Sequence, residues 1–299
     1  MKAIVMRETG GVDVLKMEDA PDPEVDDGLV LVRVHTASVN PIDWKFRSGM
    51  IPKPLPAILG NDMAGVVEAS RVTGIEPGQA VLGIASAGSY AELASTPGQL
   101  VAPMPDGLDY VHAAALPVAA MTAWQALFDR GGLKEGQSVL IAGAAGGVGH
   151  LAVQLARRAG ARTIALGSPR NRDFLTQLGA TDYVDYTSED VAGAVSDVDV
   201  VFDTVGGELS AALGKTVKQG GVVVAITAAQ PETVPDGVRY EHLVMSPDPE
   251  QLAMLARLAA DGELNVEIAE VLGLSEVQHA HELSESGHTR GKIILEVDR

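Results

Sequence analysis

At residues 138–149 an apolar run, SVLIAG, passes without a break into Gly143-Ala144-Ala145-Gly146-Gly147-Val148-Gly149, and a helical pattern begins at once. In the segment that follows, Val148, Leu151, Ala152, Leu155 and Ala159 recur at helical spacing and predict one apolar face. Strand, turn of small residues and helix in immediate succession open a βα unit.

The unit repeats. TIALGS (163–168), DYVDY (182–186), VDVVFDTV (198–205) and GGVVVAIT (220–227) are short, apolar and rich in β-branched residues, as strands buried on both faces are. A sixth strand is predicted over 239–245, followed by an amphipathic helix, PEQLAMLARLAADG, with Pro249 near its start and Gly262 at its end. This alternation predicts an α/β domain with a doubly wound parallel sheet. The first third differs: it is rich in Pro and Gly, and LVLVRVHTASV (29–39) alternates with Val30, Val32 and Val34 on one face, predicting twisted antiparallel sheet. The acidic stretch EDAPDPEVDDG (18–28) is read as a solvated connection. The tail reads strand (265–274), helix (275–286), strand (292–297), a pattern outside the βα alternation that is expected to return to the first domain.

A chain of 299 residues with 46% hydrophobic side chains is long enough for two domains with full cores. Its net charge of −18 repels phosphate backbones and anionic lipid, which argues against nucleic acid or a membrane as partner. With no cysteine, disulfides and thiolate metal sites are excluded; a cytoplasmic location is expected, because the apolar run at the start is too short for a signal h-region and no later stretch reaches the length of a membrane span.

The turn itself carries chemistry. Small residues at Gly143, Ala144, Gly146, Gly147, Val148 and Gly149 let a backbone approach a pyrophosphate, and the helix N-terminus that follows offers N–H groups and a positive dipole end. Ala144 departs from the strict glycine fingerprint, so the strand and helix context carries the reading. Nineteen residues after Gly149, where a carboxylate would hold a ribose 2′-hydroxyl, the chain has Ser168, followed by Arg170 and Arg172. Two guanidinium groups suit a 2′-phosphate, so NADP (as NADPH) is the expected cofactor.

At this point the sequence resembles the zinc-independent quinone oxidoreductase branch of the medium-chain dehydrogenase/reductase superfamily. The resemblance spans SVNPIDWKFRSG (38–49), ILGNDMAGVVEA (58–69), GSYAEL (88–93), LPVAAMTAWQAL (116–127), AGAAGGVGHLAVQLA (142–156), FDTVGG (202–207) and GHTRGKIIL (287–295). It implies a GroES-like, mostly-β catalytic domain from residues 1–116 and 263–299, and a Rossmann NADP-binding domain from 117–262, with the active site in the cleft. It implies that Asn40 and Thr122 lie near the nicotinamide, Tyr186 at the adenosine, and Val205, Gly206 and Thr227 along the ribose and nicotinamide, with Lys292 also among the cofactor contacts. It further implies a homodimer formed through the edge strand at 239–245. Zinc-dependent members place metal ligands where Asn40 and Asn61 of the Gly60-Asn61-Asp62 run stand here, and a further one near Val118, so no zinc is expected. His279 and His281 are two apart, on different helix faces, and His288 lies in the tail motif.

Without a metal, the expected chemistry is hydride transfer to an electron-poor small-molecule acceptor, a quinone or an α,β-unsaturated carbonyl. Asn40 and Lys45 are candidates to stabilise the developing oxyanion, and Lys45, Tyr90 or water to supply the proton. Asp43 has Arg47 as a possible i,i+4 partner. Two other readings compete: an NADPH-binding sensor or structural protein with little turnover, and an enoyl-thioester reductase.

Overall fold

A computed structural model describes residues 1–227 and 235–297. Among the described residues there are sixteen strands: β1 (Lys2–Met6), β2 (Leu15–Asp19), β3 (Leu29–Val39), β4 (Ala57–Ile58), β5 (Asp62–Ser70), β6 (Ala80–Ile84), β7 (Leu93–Pro97), β8 (Val101–Pro103), β9 (Ser138–Ala142), β10 (Arg162–Gly167), β11 (Asp182–Asp185), β12 (Val198–Asp203), β13 (Val217–Ala225), β14 (Arg239–His242), β15 (Ile268–Gly273) and β16 (Lys292–Glu296). They fall into two units, residues 1–118 with 247–299, and residues 119–246.

The first unit is built on β3. Along one edge β3 pairs antiparallel with β5; along the other it pairs with β7 at Leu29–Arg33 and with β16 at Thr36–Val39. The alternation read in the sequence places Val30, Val32 and Val34 fully in the core, beside Met63, Tyr90 and Leu295. The tail therefore returns to this unit, as its pattern predicts: β15 and β16 extend the sheet in the order β15-β16-β3-β5-β6-β8. A small separate sheet, β2-β1-β4, has no counterpart in the sequence pattern.

The second unit has one six-stranded sheet, β11-β10-β9-β12-β13-β14, every pair parallel. Chain order reverses between β9 and β12, which sets the carboxyl end of β9 at the topological switch point where such sheets bind ligands. Val139, Leu140, Ile141 and Ala142 are wholly buried, the reason β9 reads as an unbroken apolar run. Helix Gly149–Arg158 follows, buried at Leu151, Ala152 and Leu155 as predicted, and also at His150, Val153 and Ala156.

The expected boundary after residue 262 moves to 246/247. Helix Pro249–Ala260, capped by Asp248 accepting from the N–H groups of Glu250 and Gln251, packs on β8 of the first unit. The βα alternation runs on into this helix in sequence, which is why it reads as part of the parallel domain. Among the described residues no helix is long and apolar enough to cross a membrane.

Candidate active site

The carboxyl ends of the parallel strands in the second unit bring together most of the predicted cofactor residues. Gly143 ends β9 at φ +68°, a conformation open to glycine, and the Gly146 N–H closes the turn on the Gly143 carbonyl at 2.9 Å. A Cβ at Gly149 would overlap the Gly143 carbonyl oxygen and lie 2.7 Å from Ala144 Cα, so only glycine allows helix and turn to meet here. At the end of β12 the Thr204 hydroxyl donates to the Ala142 carbonyl at 2.7 Å, and buried Asp203 accepts from the N–H groups of Val205 and Gly206, both at 2.9 Å. A side chain at Gly206 would overlap the Thr227 hydroxyl, so these two are in contact. Thr227 Oγ1 is buried with no hydrogen-bond partner among the described residues, and Val205 stands half exposed beside this contact. A glycine cradle, a helix N-terminus and an orphaned hydroxyl along one sheet end fit a dinucleotide.

At the end of β10, Ser168 opens a turn in which the Asn171 N–H bonds its carbonyl at 2.9 Å, and Arg170 and Arg172 are exposed. The Arg172 guanidinium lies 5.6 Å from the Tyr183 ring centroid. A carboxylate that sequence spacing did not single out, Asp185, pairs in register with Gly167. Its oxygens are taken up by the hydroxyls of Thr187 and Ser188 and the Thr187 N–H, which lower its carboxyl from the ordinary value. Tyr186 follows it, nearly half exposed, and Thr122 is buried in helix Pro117–Trp124.

The first unit holds a buried ionic cluster. Asn40 ends the extended run of β3 and caps helix Pro41–Arg47. Its Nδ2 donates to Asp62 Oδ2 at 2.8 Å, while its Oδ1 accepts from Lys292 Nζ at 2.7 Å. The Val118 N–H donates to Asp62 Oδ1 at 2.8 Å, and Lys292 Nζ lies 3.5 Å from Asp62 Oδ2. All three side chains are almost wholly buried, which raises the Asp62 carboxyl and lowers the Lys292 ammonium against their mutual attraction. Asn40, at a position that the family resemblance ties to a zinc ligand, and Val118, near another, here converge as donors on one carboxylate. With both Asp62 oxygens engaged and an ammonium beside them, this donor set does not fit a divalent cation.

Several expectations change. Lys292, expected among the cofactor contacts, has its ammonium buried on Asn40 and Asp62. Tyr90, expected as a proton donor, is fully buried, and its hydroxyl is spent on Asp43 Oδ2 at 2.9 Å. Asp43 also accepts from the Asn40 N–H at 2.8 Å, so it does not pair with Arg47. Burial pushes its carboxyl up to about 6, opposed by those two donors. Arg47 instead reaches Glu285 at 2.6 Å. Lys45 is half-buried on the same short helix, its ammonium 5.7 Å from the Trp44 ring centroid. His281 is a core residue, edge-on to Tyr90 and kept neutral as burial and Arg47 push it down to about 3; His279 and His288 are exposed. The sequence motif that contains Asp62 assigns it no role; its signal is a carboxylate directly before the apolar run at 63–67.

Comparison with known proteins agrees with this architecture. Residues 26–106 match the alcohol dehydrogenase GroES-like domain, and residues 178–295 match the zinc-binding dehydrogenase family. The chain is 34% identical over 314 residues to an NADPH-dependent alkenal/one oxidoreductase of Arabidopsis thaliana, covering 99% of this chain and 79% of that protein. A quinone oxidoreductase from Coxiella burnetii superposes with a TM-score of 0.93 at 36% identity, covering 99% of each chain. The quinone oxidoreductase of Escherichia coli complexed with NADPH superposes at 0.92, with 26% identity over 99% of this chain and all of that one. With a glycine cradle at the switch point of one unit and an ionic cluster at the ligand positions of the other, the chain belongs to the quinone oxidoreductase-like branch of the medium-chain dehydrogenase/reductase superfamily.

Proposed function

We propose that the chain is an NADPH-dependent, metal-independent reductase that delivers hydride to a quinone or to the β-carbon of an enal or enone. The observation that carries this reading is the Asn40–Asp62–Lys292 cluster, which offers fixed hydrogen-bond donors where a Lewis acid would otherwise be held. Acceptors already electron-poor need such donors for the oxygen that gains charge, and need no metal to polarise an alcohol.

NADPH supplies the hydride. The turn 143–149 and its helix end hold the pyrophosphate, Ser168, Arg170 and Arg172 take the 2′-phosphate, and Tyr186, Val205, Gly206, Thr227 and Thr122 line the remaining cofactor. Asn40 donates its uncommitted N–H to the acceptor oxygen, and Lys45 or water gives the proton. Tyr90 acts at a distance, by holding Asp43 and with it the start of the helix that carries Lys45. A homodimer through edge strand β14 and a cytoplasmic setting complete the reading.

The test is steady-state oxidation of NADPH beside NADH, with a quinone and an enal, in the presence of a chelator. NADPH-selective turnover that survives chelation is expected. Preference for NADH, or activity that chelator removes and zinc restores, would overturn it.

A further inference from the structure

Lys292 and Asp62 are 3% and 0% exposed, and burying such a pair costs several kcal/mol per ion before attraction offsets it. A well-packed neutral pair of similar shape folds as well or better, so stability alone gives no reason for the charges. What the charges do is orient a third group. Asn40 has one amide N–H on the carboxylate and its carbonyl oxygen on the ammonium. A flip of the amide would set oxygen against carboxylate and N–H against ammonium, two repulsive contacts in place of two attractive ones. One N–H and one oxygen lone pair remain uncommitted, in a fixed plane.

We propose that Lys292 is a positioning residue for the reduction: clamped between Asp62 and Asn40, it fixes the Asn40 carboxamide with a single N–H available to the acceptor oxygen. The proposal rests on the reductase reading above. It assigns Lys292 no contact with substrate or cofactor and routes its effect wholly through Asn40. The ammonium on Oδ1 also draws electron density from the amide and strengthens the remaining N–H as a donor.

The test uses the full chain as K292M/D62N, which removes both charges together and leaves no lone buried ion. This variant is expected to keep the wild-type unfolding midpoint and NADPH affinity, while kcat falls about 10-fold or more, the scale of a misplaced catalytic group. N40A alone lowers kcat, and adding K292M/D62N to N40A lowers it no further, because the two changes remove one function. A smaller fall in the double variant, or losses that multiply, overturns the proposal.

A second readout is independent of turnover: the Asn40 side-chain amide signals, identified by their loss in N40A, exchange with solvent at least about 10-fold more slowly in wild type than in K292M/D62N. Equal exchange overturns the clamp. Wild-type protein that is inactive on both acceptors but keeps a protected amide would sink the reductase reading and leave the clamp standing.

Discussion

Replacing Gly149 with alanine tests the nucleotide turn, and replacing Gly146 supplies its control. At Gly149 the new Cβ would sit 2.7 Å from Ala144 Cα and 2.9 Å from its carbonyl carbon, where ordinary contact begins at 3.4 Å. The Ala144 backbone must retreat by roughly 0.5–0.7 Å and the overlapped Gly143 carbonyl oxygen by more, and overpacking of that kind costs about 1–3 kcal/mol or above. At Gly146 the nearest neighbour of a Cβ is the Gly143 carbonyl oxygen at 3.3 Å, so G146A should fold within about 0.5 kcal/mol of wild type. If the turn holds the pyrophosphate as proposed, the added methyl would stand against that group, and NADPH affinity should fall about 10–100-fold, or roughly 1.4–2.7 kcal/mol. Urea unfolding followed by circular dichroism and titration of NADPH fluorescence separate the two effects. A G149A protein as stable as wild type, or a G146A protein that binds NADPH normally, refutes the assignment of one glycine to packing and the other to the cofactor.

Changing Arg170 and Arg172 together to alanine should raise KM for NADPH about 10-fold or more and leave NADH nearly unaffected, as loss of charge-assisted bonds to one phosphate does; equal change for both cofactors would place the 2′-phosphate elsewhere. Asp43 gives a pH signature. Its carboxyl moves from near 3.8 to about 6 on burial, so the folded chain binds more protons than the unfolded one between those values. Stability therefore falls as pH rises from about 4 to about 6, by about 3 kcal/mol for this group. D43N should lack that contribution, so the unfolding free energy of wild type minus that of D43N should fall by about 2 kcal/mol between pH 4.5 and 7, whichever protein is the more stable; a constant difference would contradict it.

Much of the parallel domain is legible in the sequence because burial on both faces forces its strands to be continuous apolar runs. The same holds for β3, whose alternation reports one buried face. The ionic cluster is another matter. Asn40 meets Lys292 across 252 residues, Arg47 meets Glu285 across 238, and Tyr90 meets Asp43 across 47. No local spacing encodes such pairs, and the local rule that offers Arg47 to Asp43 fails because the helix start turns the Asp43 carboxylate inward onto the Asn40 N–H. The short β2-β1-β4 sheet is missed for a like reason: β4 has two residues, too few for a period. Family resemblance found Asn40 and Lys292 but not the bond between them.

The distance along the chain between Asn40 and Lys292 also sets a timetable. At about 5–20 residues per second, the 252 positions separating them take on the order of 10–50 s to synthesise. From the moment it is made until Lys292 appears, Asp62 lacks this cation, and the edge of β3 along Thr36–Val39 lacks β16. The whole of residues 119–246 emerges meanwhile, a parallel domain complete in itself. The nascent protein thus finishes its parallel-sheet unit before its other unit can close, and a ribosome stalled shortly before β16 would leave an aspartate without its counter-ion beside an unfinished sheet.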